Sequence, residues 1–164
     1  MSGSWWYLVL KFAHVLCVFA FVSGLIGRTL VRLRIPGVTT IQTLQEFMAL
    51  VGHFDEWLVI RGSQLTLVSG LLLGWIGGWP YIGADHPTWI FLSLLLFLSL
   101  LPLVFLVFIP RGKAFGKVFQ VAVVEQRITP ELRAALADPA VRAATIYEFI
   151  MAGVVLYLMI LKPF

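Results

Sequence analysis

The sequence predicts an all-α polytopic membrane protein, a bundle of four transmembrane helices with an amphipathic helical connection between the third and the fourth. Three observations carry that reading. Of 164 residues, 60% are hydrophobic and only 12% charged, against roughly one half and one quarter in soluble domains, and the mean hydropathy is +0.97. Apolar runs long enough to cross a bilayer, at about 20 residues per crossing, recur along the chain. Basic residues gather at the ends of these runs, as charge at a membrane edge does. The length suits one domain, 1–164, with no separate soluble one.

The first crossing is expected over 5–27. Its opening, MSGSWWYLVL, has neither the charged n-region nor the small-residue cleavage site of a signal peptide, so the run is expected to be retained. Trp5, Trp6 and Tyr7 suit the headgroup layer, Lys11 can extend its amine toward it, and Arg28, Arg32 and Arg34 mark the opposite face. Ala13, Cys17, Ala20, Gly24 and Gly27 alternate spacings of four and three, which makes one stripe of small side chains. Ile35, Pro36 and Gly37 stop the helix, and Thr39 or Thr40 caps the next. That helix starts amphipathic and becomes a crossing over 58–78, where Ser63, Thr66, Gly70, Gly74 and Gly77 form a second small stripe. The stripes predict close antiparallel packing of the first two crossings, with Ala20 near Gly70.

The connection GGWPYIGADHPTW is turn-rich and lacks lysine and arginine. Asp85 caps and Pro87 opens the third crossing, 89–109, an uncharged run without a small stripe that should face lipid over much of its circumference. Pro102 should kink it and Pro110 should end it. Over 114–126, Phe115, Val118, Phe119, Ala122 and Val123 repeat at helical spacing, which predicts an amphipathic helix in the headgroup plane. Thr129 and Pro130 open a short helix, and Asp138 and Pro139 open another that leads into the fourth crossing, 146–161. The first connection holds Arg28, Arg32 and Arg34, and the third holds Arg111, Lys113, Lys117, Arg127, Arg133 and Arg142. The positive-inside rule then puts both termini outside.

Among the side chains His14 comes first, because an ionisable group within a crossing is costly and marks a functional site. It lies roughly 9 Å below Leu8 at about 1.5 Å per residue. Neutral imidazole ligates haem iron, and a four-helix bundle is a natural holder of haem, so His14 is the candidate axial ligand of a haem b. The competing reading is a neutral histidine hydrogen-bonded to Tyr157 or Ser69 in a helix contact. A second axial ligand is out of reach. His53 belongs near the opposite face, roughly 20 Å away in depth for a hydrocarbon core about 30 Å thick, and His86 would need its connection to fold inward.

Glu46, His53 and Glu56, spaced by seven and three, share a helix face and form a candidate metal set. The alternative is a solvated face on which Asp55, Glu56 and Arg61 pair locally. Cys17, the sole cysteine, excludes an intrachain disulfide and reads as a small packing residue. No glycine-rich phosphate loop and no nucleophile with a matched base occurs. The pI near 9.6 reflects charge at membrane edges, which suits lipid headgroups, and no nucleic-acid partner is expected. A transport path would find little polar lining in the third and fourth crossings beyond Ser93, Ser99 and Tyr157.

The stretch LKFAHVLCVFAFVSGLIGRTL and the closing LMILKP resemble the first helix and the end of an uncharacterised family of predicted bacterial integral membrane proteins, catalogued as a domain of unknown function. The resemblance implies a four-crossing layout over essentially the whole chain and a place in the bacterial inner membrane. More distantly, Leu10 and Lys11 followed after two residues by His14 and Val15 are similar to the opening of the haem-binding protoporphyrinogen oxidases of bacteria and of the copper-resistance D proteins. In the oxidases the matching histidine holds haem, which implies that role for His14. That family also carries a lysine in its third helix, whereas this chain has none between Trp89 and Ile109. For copper, Met48, Met151 and Met159 are scattered over different segments instead of clustered as soft ligands. Two functions follow: a small haem-b protein with redox activity, or a non-catalytic accessory subunit packed in a homo-oligomer or a larger membrane complex.

Overall fold

The computed structural model describes residues 5–79 and 88–162, and over these every regular element is helical. Helix α1 is Trp5–Arg34 and closes in a 3₁₀ turn, Ile35–Gly37. Helix α2 is Ile41–Ile76 and α3 is Thr88–Val124. Two helices complete the chain, α4 at Pro130–Leu136 and α5 at Pro139–Leu161. The four stretches Trp5–Gly37, Ile41–Ile76, Thr88–Val124 and Pro130–Leu161 are each long and apolar enough to cross a membrane. The architecture is therefore an all-α membrane bundle of four long helices. Asp85, His86 and Pro87 lie outside the described residues.

The helix starts follow from capping chemistry. Thr40 Oγ1 accepts from the Thr43 backbone N–H at 3.4 Å, Thr129 Oγ1 from that of Leu132 at 3.2 Å, and Asp138 Oδ1 from that of Ala140 at 2.8 Å. Each satisfies a donor that the first turn leaves open. Asp138 also receives Arg111 at 3.1 Å, which ties the start of α5 to α3.

The helices pair into two hairpins, α1 along α2 and α3 along α5. Glycines set how close the first pair lies. A Cβ on Gly24 would stand 2.6 Å from Leu58 Cβ and 3.0 Å from the Val59 nitrogen; on Gly27 it would meet the Phe54 ring at 2.5 Å; on Gly62 it would stand 3.0 Å from the Phe21 nitrogen. Without side chains at these points the two backbones approach far enough for dispersion to hold them, the force that must act where lipid is as apolar as leucine. The facing positions run in opposite directions, so the pair is antiparallel. Gly70 lies against His14 and not near Ala20. Over 61–76 of α2 the buried positions are Gly62, Ser69 and Gly74, so of the stripe only Gly74 is buried, while Ser63, Thr66, Gly70 and Gly77 are half-buried beside the contact.

In the second hairpin Trp89 and Ile90 pack on Leu158 beside Trp79 and Met159. The hairpins meet where Phe21, Leu25 and Val59 face Met151 and Ala152, with the Phe21 and Phe97 ring centroids 6.0 Å apart. Phe12, Phe19, Phe105, Leu106 and Ile160 point outward, as lipid-facing side chains do. Where α1 begins and α5 ends, here the terminal end, the Lys162 amine lies 5.0 Å from the Trp79 ring and 5.4 Å from the Trp89 ring, a cation and aromatic grouping suited to a headgroup layer.

Two sequence expectations are corrected at the other, connection end. Pro110 does not end α3, and 114–126 is not a separate helix lying in the headgroup plane: α3 runs unbroken past both to Val124. A π-helical turn over Val104–Phe108 precedes the proline, and there the Ile109 N–H bonds to the Val104 carbonyl five residues back. That widened turn takes up the missing donor and the steric clash that a proline brings to an α-helix. The apolar face of 114–126 then closes on protein, since Ala122 packs with Ile35, Val38, Ile41, Leu44 and Leu132. Ahead of Pro102, α3 is interrupted at Ser99, whose hydroxyl donates to the Leu96 carbonyl at 2.5 Å. Helix α5 also begins seven residues before the apolar run at 146.

Candidate functional site

Polar groups inside the bundle gather at two depths. Nearer the terminal end, His14 on α1 faces α2, with its Nδ1 2.8 Å from Ser69 Oγ. The serine hydroxyl is also 2.6 Å from the Leu65 carbonyl and 3.2 Å from that of Thr66, both of which only accept. When that one proton rests on a carbonyl, the hydroxyl accepts from Nδ1–H, and in that tautomer Nε2 carries the lone pair. The Cε1 side of the ring meets Gly70, where a Cβ would stand 3.1 Å from Cε1. Of the two partners the sequence offered, the structure uses Ser69; Tyr157 is 55% exposed.

Toward the connection end lies a charge cluster that sequence reasoning missed. Arg28 on α1 is 4% exposed and Glu148 on α5 is 4% exposed. The Arg28 guanidinium donates through Nη2 to Glu148 and through Nη1 to Asp55 on α2, the latter at 2.7 Å. Arg32, one turn along α1, stands 3.6 Å from the same aspartate. From α3, the Phe108 ring lies under the guanidinium with its centroid 5.7 Å away. All four long helices thus converge on Arg28. Arg28 Nε and Thr29 Oγ1 are buried without a hydrogen-bond partner, a condition that bound water usually relieves.

The predicted metal set does not converge. Among the described residues no group of three His, Cys, Asp or Glu side chains is placed to hold a metal ion. His53 Nδ1 is 3.1 Å from the Ala49 carbonyl and Glu56 pairs with Arg61 at 3.0 Å. Glu56 lies inside a π-helical stretch, Phe54–Ile60, whose winding differs from that of the α-helix holding Glu46 and His53, and Glu46 is exposed. Asp55 turns inward to Arg28 and away from the surface pairing expected for it. Of the stripe residues, Ala13, Cys17 and Ala20 are half-buried, Gly24 is buried at α2, and Gly27 sits under Phe54. Ser63 bonds back to the Ile60 carbonyl at 2.9 Å, and the Gly74 carbonyl accepts the Trp79 N–H at 2.9 Å.

Four long apolar helices that turn large apolar side chains outward define an integral membrane protein. More particularly, residues 8–163 match the model of the predicted integral membrane proteins called domain of unknown function 2269, and the chain belongs to that family. No curated protein matches the chain. No solved structure matches it either, and the resemblance to the oxidases and copper-resistance proteins finds no support in these matches.

Proposed function

We propose that this membrane protein holds one haem b through His14 Nε2. The observation that supports the reading is the hydrogen bond from His14 Nδ1 to Ser69. Ligating histidines characteristically donate their second nitrogen to a fixed acceptor, which sets the tautomer and raises the basicity of the free nitrogen. Bound there, the haem would supply one-electron chemistry, while Ser69 and Gly70 would hold the ring's orientation. By the charge of its connections, the proposed orientation in a bacterial inner membrane has both termini outside.

The test is a reduced-minus-oxidised visible spectrum of protein purified from cells with ample haem. A Soret band that is lost in His14→Ala is the expected result. Ser69→Ala should retain the band but weaken haem retention by about 10- to 100-fold, the usual effect of removing a supporting partner. A colourless, folded preparation overturns the reading. It favours the alternative of a non-catalytic accessory subunit, in which the contact of His14 with Gly70 is interhelical packing.

A further inference from the structure

The Arg28 cluster holds two positive and two negative groups and is neutral as it stands, with Arg28, Asp55 and Arg32 the charged groups acting on Glu148. Helix α3 brings no ionisable side chain between Thr88 and Pro110, and Arg142, six residues before Glu148 on α5, is exposed. The two bonds of Arg28 differ in what they join. The one to Asp55 lies within the first hairpin; the one to Glu148 is the ion pair that links the two hairpins among the described residues. The cluster is wet at one side only, since the Asp55 and Arg32 side chains are 29% and 31% exposed while those of Arg28 and Glu148 are each 5% exposed. Glu148 precedes Lys162 by fourteen residues, which puts it roughly 20 Å from the terminal end and inside a hydrocarbon core about 30 Å thick.

From this geometry we propose that Glu148 is a proton-binding site filled from the connection end, and that its neutralisation loosens the second hairpin against the first within the bilayer. The proton comes from water at the half-exposed Asp55, passes by way of that carboxylate and ends on a Glu148 oxygen. Arg28 remains charged and keeps Asp55, so the cluster carries one net positive charge and the ion pair across the hairpins is gone. At the connection end Ile35, Val38, Ile41 and Leu44 stay packed on Ala122 and Leu132; within the bilayer what is left between the hairpins is the Arg28–Phe108 contact and the apolar contact of Phe21, Leu25 and Val59 with Met151 and Ala152. In lipid such contact has little advantage over contact with acyl chains. The inference does not depend on haem.

The experiment uses the full chain in lipid nanodiscs. Infrared spectra taken as the sample is brought from about pH 8 to about pH 5, the range over which a perturbed carboxylate titrates, should gain a protonated-carboxyl band that Glu148→Gln lacks. Over the same interval, amide exchange in residues 139–158, corrected for intrinsic rates, should rise about tenfold in the wild type. Glu148→Gln should be fast at both ends, and Asp55→Asn should delay the rise after a pH jump. Flat exchange in the wild type, or a band that survives in Glu148→Gln, overturns the proposal. If the glutamine variant fails to fold, the wild-type titration decides alone.

Discussion

His14 and Arg28 lie on the same face-to-face pair of helices, fourteen residues apart, and meet the cost of polarity in opposite ways. His14 is neutral, partly open, and satisfied by one serine on the adjacent helix. Arg28 is charged, enclosed, and satisfied only because α2 and α5 each bring it a carboxylate and α3 an aromatic face. The first arrangement is local and needs two helices; the second exists only in the assembled bundle. Loss of His14's partner should therefore be a small event, and loss of a partner of Arg28 a large one.

The largest expected effect is that of Arg28→Ala, which strands Glu148 in an apolar surround and should destabilise the bundle by about 3–5 kcal/mol. Replacing both partners, Arg28→Met with Glu148→Leu, should recover most of that loss, as measured by reversible unfolding in mixed micelles. A double variant as unstable as the single one would mean that the charges do more than neutralise each other.

Next is Gly24→Ala, whose added carbon meets Leu58 Cβ and the Val59 backbone. Forcing that contact apart should cost about 1–3 kcal/mol, whereas Gly52→Ala, with open space around it, should leave unfolding unchanged. Ser69→Ala should cost about 0.6 kcal/mol, the typical value of an interhelical hydrogen bond in a membrane. A loss equal to that of Arg28→Ala would erase the contrast between the two sites. Smallest is Glu56→Gln: its bond to Arg61 is exposed, and a shift above about 1 kcal/mol in the same unfolding assay would be out of line with surface pairs.

The contrast also divides what sequence could reveal. Helix number, caps at Thr40, Thr129 and Asp138, and the close glycine contact of the first hairpin follow from local composition and from spacings of three and four. His14 stands out because it interrupts an apolar run. Glu148 had the same signal available, as the one charged residue over 143–161. A crossing expected to start only at 146 puts Glu148 at its edge, where a carboxylate does not stand out, and Arg28 lies just past the end of the first crossing in the same way. Their pairing joins residues 120 apart, and no periodicity encodes that. That Glu46, His53 and Glu56 are not brought together has a different cause: Glu56 lies inside a stretch of i→i+5 bonding, so the register that spacings of seven and three give on an ideal helix does not carry into Phe54–Ile60.

Those widened turns reach beyond the metal set. One contains Asp55 and the other ends at Phe108, so both flank the charge cluster, on α2 and α3 respectively. On either side of such a turn the helix keeps its own angular setting. The stretch that meets neighbours in the bilayer and the stretch that meets Leu132 and Ala122 beyond it need not obey one continuous heptad. Substitution or drift in either half can thus be absorbed without rotating the other, and α2 and α3 each behave as two independently phased rods joined end to end.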